Sequence, residues 1–508
     1  MNQSASQSHG SPPLALLVTL QATVSAASLV VEIVAGRMLA PYVGMSLYTW
    51  TSIIAVVLAG FSAGHWAGGR IAERPDATAL RLTGWSMAGA ALTTGVAIFL
   101  LRWTAGPVLS SLSAPILSIT LLSAIAFFLP SFFAGVPAPV LARISVDTRE
   151  RPGRALGAIF AAGALGAIAG TLLTGFLFIS WLGTIGTLTA ITATYVAIGA
   201  VLFALARKTG AADLAPPAAA MVAALAVGAA GLAAENPCTV ESRYYCIRVV
   251  DISADPQKPV KLMALDHLVH GVSARDVPHV MFTQHAALME ELSRTRMGER
   301  PFDAFLIGGG TYSIPRAWAL LDQVNVTVAE IDPAVTETAV EEFWFDPKTA
   351  TILDMDARRA LATDRNRYDV IIGDAFTDIA VPAHLITREF FETVAARLDA
   401  DGIYLMNVID FQDRLHALAA IARTLRAVFP VVEVWTERAE AEPDGRRVFI
   451  VLAGDSPTET EFVRGVGPEP YVAGRLPEYW LTKLLEERNA LLLTDDYAPI
   501  DRLLGRFD

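Results

Sequence analysis

The chain has 508 residues, 53% of them hydrophobic, and a formal net charge of −12 at pH 7. Residues 1–235 carry 11 Lys/Arg and 7 Asp/Glu, whereas residues 236–508 carry 28 and 44, so a boundary falls near Glu235. The acidic second half argues against binding nucleic acid, whose phosphates need a basic surface. It suits a small cationic substrate, such as a polyamine or a sulfonium, although acidity also keeps a domain soluble.

Seven apolar runs in residues 1–235 are each close to the ~20 residues that span a bilayer as a helix. They predict an α-helical multi-pass membrane domain in the cell inner membrane, with the lipid bilayer as a partner. Prolines in the fourth run predict a kink or a re-entrant break there. The runs are about 14–34, 49–69, 82–102, 114–142, 156–180, 184–206 and 216–234.

The charges between the runs predict orientation, because cytoplasmic loops are enriched in Lys and Arg. The second, fourth and sixth loops are basic, so they and the N-terminus are predicted to be cytoplasmic. With seven spans the second half then emerges on the other side, which conflicts with a ligand made in the cytoplasm. Cys238 and Cys246 bear on the same question. A disulfide would indicate an oxidising compartment, but two free thiols are equally compatible with the sequence.

The second half divides into two predicted parts. Alternating patterns such as YYCIRVVDI predict a small β-hairpin domain over residues 236–300. Buried strands then alternate with helical stretches over residues 301–508, which predicts an α/β Rossmann-like, methyltransferase-type domain. Ligands of such sheets bind at the carboxyl ends of the strands.

Three glycines, Gly308, Gly309 and Gly310, follow the first predicted parallel strand. Glycines at this point allow a tight turn and a close approach of the backbone to a ligand. Glu330 ends the second strand, 22 residues after Gly308. An acid at about this distance is suited to accept hydrogen bonds from ribose hydroxyls, so the pair predicts a nucleoside site.

Two further acids follow later strands of the predicted sheet. Asp356 comes after the third strand, where the edge of an adenine would lie, and Asp374 ends the fourth strand and faces the same crevice. No Cys/His cluster has the spacing of a zinc site, so no metal is expected.

These motifs together resemble the spermidine synthase (aminopropyltransferase) family over roughly residues 236–455. ALDHLVHG is similar to a family segment that usually has glutamine where His270 stands. IGGG, EIDP, DAR and GDAFTD are similar to its glycine, ribose-side, adenine-side and catalytic segments. The apolar half and LTDDYAPID resemble a bacterial subgroup in which this domain is fused to a membrane domain.

The resemblance implies a co-substrate, S-adenosylmethionine or its decarboxylated form, and no metal. An amine attacks the carbon next to sulfur and methylthioadenosine leaves, while a carboxylate accepts the proton of the amine. It also implies a homodimer. The implied catalytic residue is Asp374, the implied cofactor-binding residues are Gly308, Gly309, Gly310, Glu330, Asp356 and Ala357, and the implied substrate-binding residues are Asp266 and Asp378.

His270, which departs from the family, is a further catalytic candidate, as a base near neutral pH or as a replacement for a lost polar contact, with a hydrogen-bonded hairpin residue as the alternative. Tyr497 is a substrate-binding candidate as a lid residue over the pocket, with packing of the C-terminal segment as the alternative.

The sequence departs from the family pattern on the reacting side. Thr311, Tyr312 and Ser313 stand where the family has aspartate–glycine–glycine, and that aspartate normally holds the amine of the aminopropyl arm. Phe376 lengthens the catalytic loop by one residue, and the tyrosine–histidine–glutamate stretch of the family is not clear in HVMFTQHAAL. Ordinary spermidine synthesis is therefore in doubt, and S-adenosylmethionine or another acceptor is an alternative.

Two other functions remain open on the sequence. The first is a polyamine- or nucleoside-binding membrane sensor or transporter that has lost catalysis, for which the intramembrane acid Glu32 is the relevant feature. The second is an ordinary methyltransferase, against which the GDAFTD loop and the upstream β domain argue.

Overall fold

The structure is a computed structural model that describes residues 12–112, 114–147, 151–208, 215–321, 323–375, 381–437 and 445–504. The chain divides into two compact units, Met1–Cys246 and Ile247–Asp508. The first unit is built from helices around one apolar core, and the second contains the large sheet.

Nine α-helices make up the described part of the first unit, followed by the short strand β1, Val240–Glu241. Two π-helical turns, Ala124–Phe128 and Thr174–Phe178, continue α4 into α5 and α7 into α8. The helices are α1 Leu14–Val43, α2 Leu47–Ala72, α3 Asp76–Ser111, α4 Pro115–Ser123, α5 Leu129–Gly135, α6 Pro137–Asp147, α7 Pro152–Leu173, α8 Ile179–Lys208 and α9 Ala215–Leu232.

Five helical stretches in the described residues are long and apolar enough to cross a membrane, by length and composition. The fifth, Pro152–Lys208, has 57 residues, and a straight helix of that length would measure roughly 85 Å, far more than a hydrocarbon layer of about 30 Å. It is broken at Gly183, whose φ of 67° is not helical. With the shorter apolar helix Pro216–Leu232, helical segments occupy all seven predicted runs.

The proline-rich fourth run stays helical. A π-helical turn, Ala124–Phe128, directly precedes Pro130, and a widened turn of this kind accommodates a residue that has no backbone N–H to donate. From Pro115 to Asp147, Val136 is the one residue outside an assigned helix, and its φ of −60° and ψ of −39° are still helical. The predicted break is therefore a local distortion and not a re-entrant loop.

Helices of the first unit approach closely at glycines. A Cβ atom at Gly166 would lie 2.1 Å from the carbonyl oxygen of Ala22, and one at Gly170 would lie 2.3 Å from that of Ala26. These two glycines therefore let α7 pack directly on the backbone of α1, as small residues do between helices in membranes.

At the start of the second unit, three strands of a four-stranded sheet pair antiparallel, namely β2 Cys246–Asp251, β3 Val260–Leu265 and β4 Leu268–Ala274. The predicted hairpin domain fits only loosely, because residues 284–297 do not extend this sheet. They form helix α10, Gln284–Met297, whose buried Leu288 and Leu292 share a core with strands of the large sheet.

The large sheet has nine strands in the order β12-β13-β10-β11-β9-β8-β5-β6-β7. Strands β5 to β9 pair in parallel, whereas β10, β11, β12 and β13 pair antiparallel. The strands are β5 Phe302–Ile307, β6 Val324–Glu330, β7 Thr351–Asp354, β8 Tyr368–Gly373, β9 Leu398–Phe411, β10 Val431–Glu437, β11 Arg446–Gly454, β12 Phe462–Gly465 and β13 Tyr471–Arg475.

Helices cover both faces of this sheet. Successive residues of β5 point to opposite faces, so that Phe305 and Ile307 join one apolar core while Ala304 and Leu306 join the other. The helices after α10 are α11 Ser313–Trp318, α12 Pro333–Glu342, α13 Ala357–Thr363, α14 Arg388–Arg397, α15 His416–Arg426, α16 Glu478–Glu487 and α17 Ile500–Leu504. The predicted Rossmann-like sheet, with five parallel strands and a closing antiparallel pair, is confirmed, and β12 and β13 are additional.

Candidate active site

The strand order reverses between β5 and β8, which are neighbours in the centre of the sheet. Ile307 is in register with Gly373, and the amide of Asp374 donates to the carbonyl oxygen of Ile307 at 3.0 Å. The first glycine, Gly308, and the acid Asp374 therefore lie side by side at the carboxyl ends of these strands. Such a switch point is where open α/β sheets bind ligands.

Gly308 is required by this close approach. Its φ is +94°, and a Cβ atom there would lie 2.8 Å from the carbonyl oxygen of Asp374. Gly310 also has a positive φ, +52°, and a Cβ there would lie 3.1 Å from the carbonyl oxygen of His270. The glycine turn thus passes between the end of β8 and the β4 strand with backbone only, which allows a ligand to approach the chain closely.

Glu330 lies next to the same turn. Its Oε2 accepts a hydrogen bond from the amide of Gly309 at 2.8 Å, and its Oε1 accepts one from the amide of Asp332 at 3.0 Å. The side chain is buried, and burial raises its pKa to about 7. The structure thus joins the predicted glycine and ribose-side residues, and holds a carboxyl group at the end of β6 with a fixed orientation.

The turn continues into Thr311, Tyr312 and Ser313. Tyr312 has a left-handed φ of 54° and is fully buried, with its ring stacked on Phe345 at 4.1 Å and its hydroxyl 2.6 Å from the Thr336 hydroxyl. Burial raises the pKa of Tyr312. This residue therefore packs under the turn and anchors it.

Hydroxyl groups lie where the spermidine synthase family, which the sequence resembles, has an aspartate. The Thr311 and Ser313 hydroxyls are 2.8 Å apart, and those of Ser313 and Ser273 are 2.9 Å apart. A Cβ at Gly271 would lie 2.3 Å from the Thr311 Oγ1 atom, so this glycine makes room for the threonine. The three hydroxyls form a neutral, hydrogen-bonded row between β4 and the glycine turn.

The side chain of Asp374 accepts a hydrogen bond from Asn407 and lies near His285. The Asn407 Nδ2 atom donates to its Oδ1 at 2.9 Å, and the Nε2 atom of His285 lies 3.6 Å from its Oδ2. Asn407 is buried on β9, and His285 is in the first turn of α10. Neither residue is predicted by the sequence motifs. His285 lies within HVMFTQHAAL, and the start of a helix at Gln284 is the signal that points to it.

His270 lies in the same neighbourhood. Burial lowers its pKa to about 4, with the charge of Asp374 acting in the opposite direction and the nearby His285 and His267 adding to the decrease. Burial likewise lowers the pKa of His267 to about 4. Both imidazoles are therefore neutral at pH 7, and the near-neutral titration that a histidine usually offers is not available at His270.

Asp356 and Ala357 begin α13 after strand β7. The Asp356 Oδ1 atom caps the helix by accepting from the amide of Arg359 at 2.9 Å, and its Oδ2 lies 2.7 Å from the His384 Nε2 atom. Ala357 is buried. His384 was not singled out in the sequence, because it comes 28 residues later and only the fold brings it to Asp356.

The three predicted substrate-binding residues differ in their positions. Asp266 is buried in the turn between β3 and β4 with a φ of 54°, and its carbonyl oxygen accepts from Arg248 at 2.8 Å. Tyr497 is half exposed, bridges to Thr494, and its hydroxyl accepts from Arg502 at 3.1 Å. Asp378 lies outside the described residues. The structure thus gathers the predicted glycines, Glu330, Asp374 and His270 around the turn after β5.

Comparison with known proteins finds a family match within the second unit. Residues 285–455 match the spermine/spermidine synthase domain. A polyamine aminopropyltransferase of Vibrio vulnificus is 28% identical over 217 residues, which are 40% of this chain and 70% of that protein. An N-terminal histidine N-methyltransferase of Emericella nidulans is 29% identical over 219 residues, which are 41% of this chain and 38% of that protein.

The matches are partial in length. The chain spans 31% of a probable polyamine aminopropyl transferase of Bifidobacterium longum, with 29% identity over 140 residues, 27% of this chain. The crystal structure of a probable spermidine synthase from Corynebacterium glutamicum aligns with a TM-score of 0.45 and 21% identity, covering 52% of this chain and 99% of that one. Over residues 285–455, the chain is therefore similar to the spermine/spermidine synthase family.

Proposed function

We propose that the chain is a membrane-bound enzyme that binds S-adenosylmethionine or its decarboxylated form and transfers an alkyl group, of the aminopropyl type, to a small cationic acceptor. The observation that carries this proposal is the meeting of Gly308, Glu330 and Asp374 at the strand ends. A nucleoside fits the first two residues and an attacking amine fits the third.

The binding roles follow from the chemistry of each group. The Glu330 carboxylate is suited to accept hydrogen bonds from ribose hydroxyls beside the glycine turn. Asp356 and the start of α13 would meet the adenine, with His384 fixing the Asp356 carboxylate. Asp266 and Asp378, as the family resemblance implies, and Tyr497, as a lid residue, remain proposed acceptor-side residues.

Asp374 would act on the acceptor. A protonated amine has no lone pair to donate, so a carboxylate that accepts its proton allows attack on the carbon next to sulfur. A carbon–nitrogen bond forms, the carbon–sulfur bond breaks, and the sulfonium leaves as the neutral thioether methylthioadenosine. Asn407 and His285 would keep the Asp374 carboxylate in place, while neutral His270 would provide a polar contact rather than a charge.

The row of hydroxyls at Thr311, Ser313 and Ser273 favours a second candidate, methyl transfer from S-adenosylmethionine. No carboxylate stands at residue 311 to pair with the ammonium group of a decarboxylated donor. One relative, from Emericella nidulans, is named as a histidine N-methyltransferase. Methyl transfer would release S-adenosylhomocysteine, whereas aminopropyl-type transfer or lyase chemistry would release methylthioadenosine.

The apolar helices of the first unit support a bilayer as partner and the inner membrane as location, by their length and composition. A homodimer also remains part of the proposal, on the resemblance alone. A polyamine- or nucleoside-binding sensor or transporter without catalysis is the alternative, and it would show saturable binding without any product.

The test is to incubate the purified full-length protein with each donor and a panel of polyamines, and to quantify both thioether products. We expect methylthioadenosine, and a loss of about 10²- to 10⁴-fold in rate for Asp374→Asn, as for removal of a group that handles a proton. Asp399→Asn, an exposed acid outside the site, is the matched control and should keep the rate. S-adenosylhomocysteine as the product would select methyl transfer, and no turnover of either donor would refute both enzymatic proposals.

A further inference from the structure

The helical unit has two ends that differ in charge. Among the described residues, one end, here called the basic end, holds eight of the cations that lie in or near the connections between segments. The other end holds three, Arg37, Arg102 and Arg243. The eight cations of the basic end are Arg70, Arg74, Arg81, Arg143, Arg151, Arg154, Arg207 and Lys208.

Two of the three cations of the other end, Arg37 and Arg102, are hydrogen-bonded to the segment 235–246, which contains the third, Arg243. Arg37, near the end of α1, donates to the carbonyl oxygens of Tyr244 at 2.6 Å, Ser242 at 2.8 Å and Tyr245 at 3.0 Å. Arg102, in the last third of α3, donates to the carbonyl oxygen of Glu235. The ends of α1 and α3 therefore lie at the same end of the unit as the segment after α9.

The break in the long fifth stretch lies there too. The amide of Thr184, directly after Gly183, donates to the Oε2 atom of Glu241 at 2.6 Å, while Oε1 of Glu241 accepts from Asn236 at 3.0 Å. A disulfide joins Cys238 to Cys246 in this same segment, and both cysteines are buried. We call this collection of α1 and α3 termini, Gly183 and residues 235–246 the disulfide end.

At the basic end, helix α6 contacts the connection between α2 and α3. Arg143 in α6 pairs with Asp76 at the start of α3 at 2.7 Å and donates to the carbonyl oxygen of Arg74 at 3.0 Å. The connection between α2 and α3 thus meets the end of α6, as expected for consecutive crossings that alternate in direction. Counting Gly183 as a turning point, the seventh segment, α9, delivers the chain to the disulfide end.

Two independent physical criteria then agree. Loops rich in Lys and Arg stay in the cytoplasm, which assigns the basic end to that side. Disulfides persist in oxidising compartments and are rare in the cytoplasm, which assigns the opposite end to the other side. The sequence alone leaves the orientation open, because a pair of cysteines can be bridged or free. In the structure Cys238 and Cys246 form a disulfide, which lies at the end of the unit with fewer cations.

We propose that the disulfide end lies on the oxidising, non-cytoplasmic face of the membrane, and that the unit Ile247–Asp508 is released on that face, because Ile247 follows Cys246 directly. This proposal rests on the proposed membrane insertion of the helices. Its consequence for the site is specific: the cationic acceptor is a molecule available outside the cytoplasm, and the adenosyl donor has to reach that compartment.

Cysteine accessibility tests the orientation in the intact protein. The disulfide occupies both natural cysteines, so a cysteine introduced at an exposed position is the only reactive thiol. Lys258→Cys, between β2 and β3, reports on the second unit, and Glu73→Cys, between α2 and α3, reports on the basic end; both positions are exposed. A membrane-impermeant maleimide is applied to spheroplasts and, separately, to lysed cells.

We expect Lys258→Cys to be modified in spheroplasts and Glu73→Cys only after lysis, with the natural chain modified only after reduction. The reverse pattern, or reaction of the natural cysteines without reductant, would overturn the orientation. Extraction with alkaline carbonate separates the two levels of failure. Release of the chain by carbonate, or equal labelling of both variants before lysis, would reject membrane insertion itself, whereas a retained chain with reversed labelling would reject only the orientation.

Discussion

Glu330 shows how one residue can both stabilise a binding site and cost the fold free energy. Its carboxyl group is buried against the glycine turn, where two backbone amides fix its oxygens. Burial disfavours the charged form, and the pKa rises to about 7 from an ordinary value of 4.5. The hydroxyl groups of a bound ribose would donate hydrogen bonds to the ionised carboxyl group and stabilise it. Part of the free energy that the burial of Glu330 costs the free protein would therefore be recovered when the ligand binds.

This residue predicts a pH dependence of stability. Between pH 4.5 and 7 the folded chain keeps the Glu330 proton while the unfolded chain has lost it, so the free energy of unfolding falls as pH rises through this window. The effect is on the order of 3 kcal/mol, at about 1.4 kcal/mol per pKa unit. Thermal unfolding of Glu330→Gln should show a smaller decrease, with the remainder due to the raised pKa values of Glu290 and Asp410. In contrast, Glu337→Gln, an exposed control on α12, should keep the full decrease. Parallel pH profiles for all three proteins would refute the assignment.

Gly308 gives a second prediction at this scale. Gly308→Ala would bring a Cβ to 2.8 Å from the Asp374 carbonyl at a φ of +94°, whereas Gly298→Ala has a φ of +65° and open space around it. Both changes cost the left-handed conformation, about 1–2 kcal/mol, but only the first displaces β8 from the glycine turn. We expect Gly308→Ala to abolish donor binding in calorimetry and Gly298→Ala to preserve it. Equal binding by the two variants would contradict the role of the close approach.

At the scale of elements, the strands could be predicted from the sequence. The residues of other elements that complete the site could not. Apolar runs such as those of β5 and β8 are buried on both faces, and that pattern is typical of parallel strands. The acids and glycines at their ends could be assigned to the site from their positions alone, because parallel strands end at the same edge of the sheet. His285, Asn407 and His384 come from other elements, and only tertiary packing brings them to Asp374 and Asp356.

The structure of the helical unit could likewise be predicted from the sequence only in part. Apolar length predicts each helix, but the turning point at Gly183 depends on a backbone angle stabilised by Glu241, a contact that no local pattern reveals. Glycine spacing is more informative, because Gly166 and Gly170 recur one turn apart on the face that meets α1.

Helix packing in this unit is testable at that contact. Gly166→Ala would place a Cβ 2.1 Å from the Ala22 carbonyl, so α7 has to move away from α1. We expect its melting temperature in detergent to fall by several degrees, as for an overpacked core that loses about 1–3 kcal/mol. Gly157→Ala, on the same helix with nothing within 4 Å, is the control and should melt as the unchanged protein does. An unchanged melting temperature for Gly166→Ala would show that the helices are not in contact there.

At the scale of the whole molecule, the two units differ in composition and in net charge. Residues 1–235 supply apolar helices and a small positive charge, whereas residues 236–508 supply the acidic α/β unit that contains the candidate active site. The match to the spermine/spermidine synthase domain covers residues 285–455 of the second unit. The reacting side of that site carries Thr311, Ser313 and Ser273 in a neutral row, so the nature of the transferred group depends on features particular to this chain.

The central claim is that the crevice between β5, β6 and β8 binds an adenosyl sulfonium. Calorimetric titration of the purified full-length protein with S-adenosylmethionine and its decarboxylated form tests it most directly. We predict saturable binding of at least one donor, weakened about tenfold to a hundredfold in Glu330→Gln, as for a lost hydrogen bond to a charged group, with Glu337→Gln binding as the unchanged protein does. No saturable binding of either donor, or equal affinity in Glu330→Gln, would contradict the account.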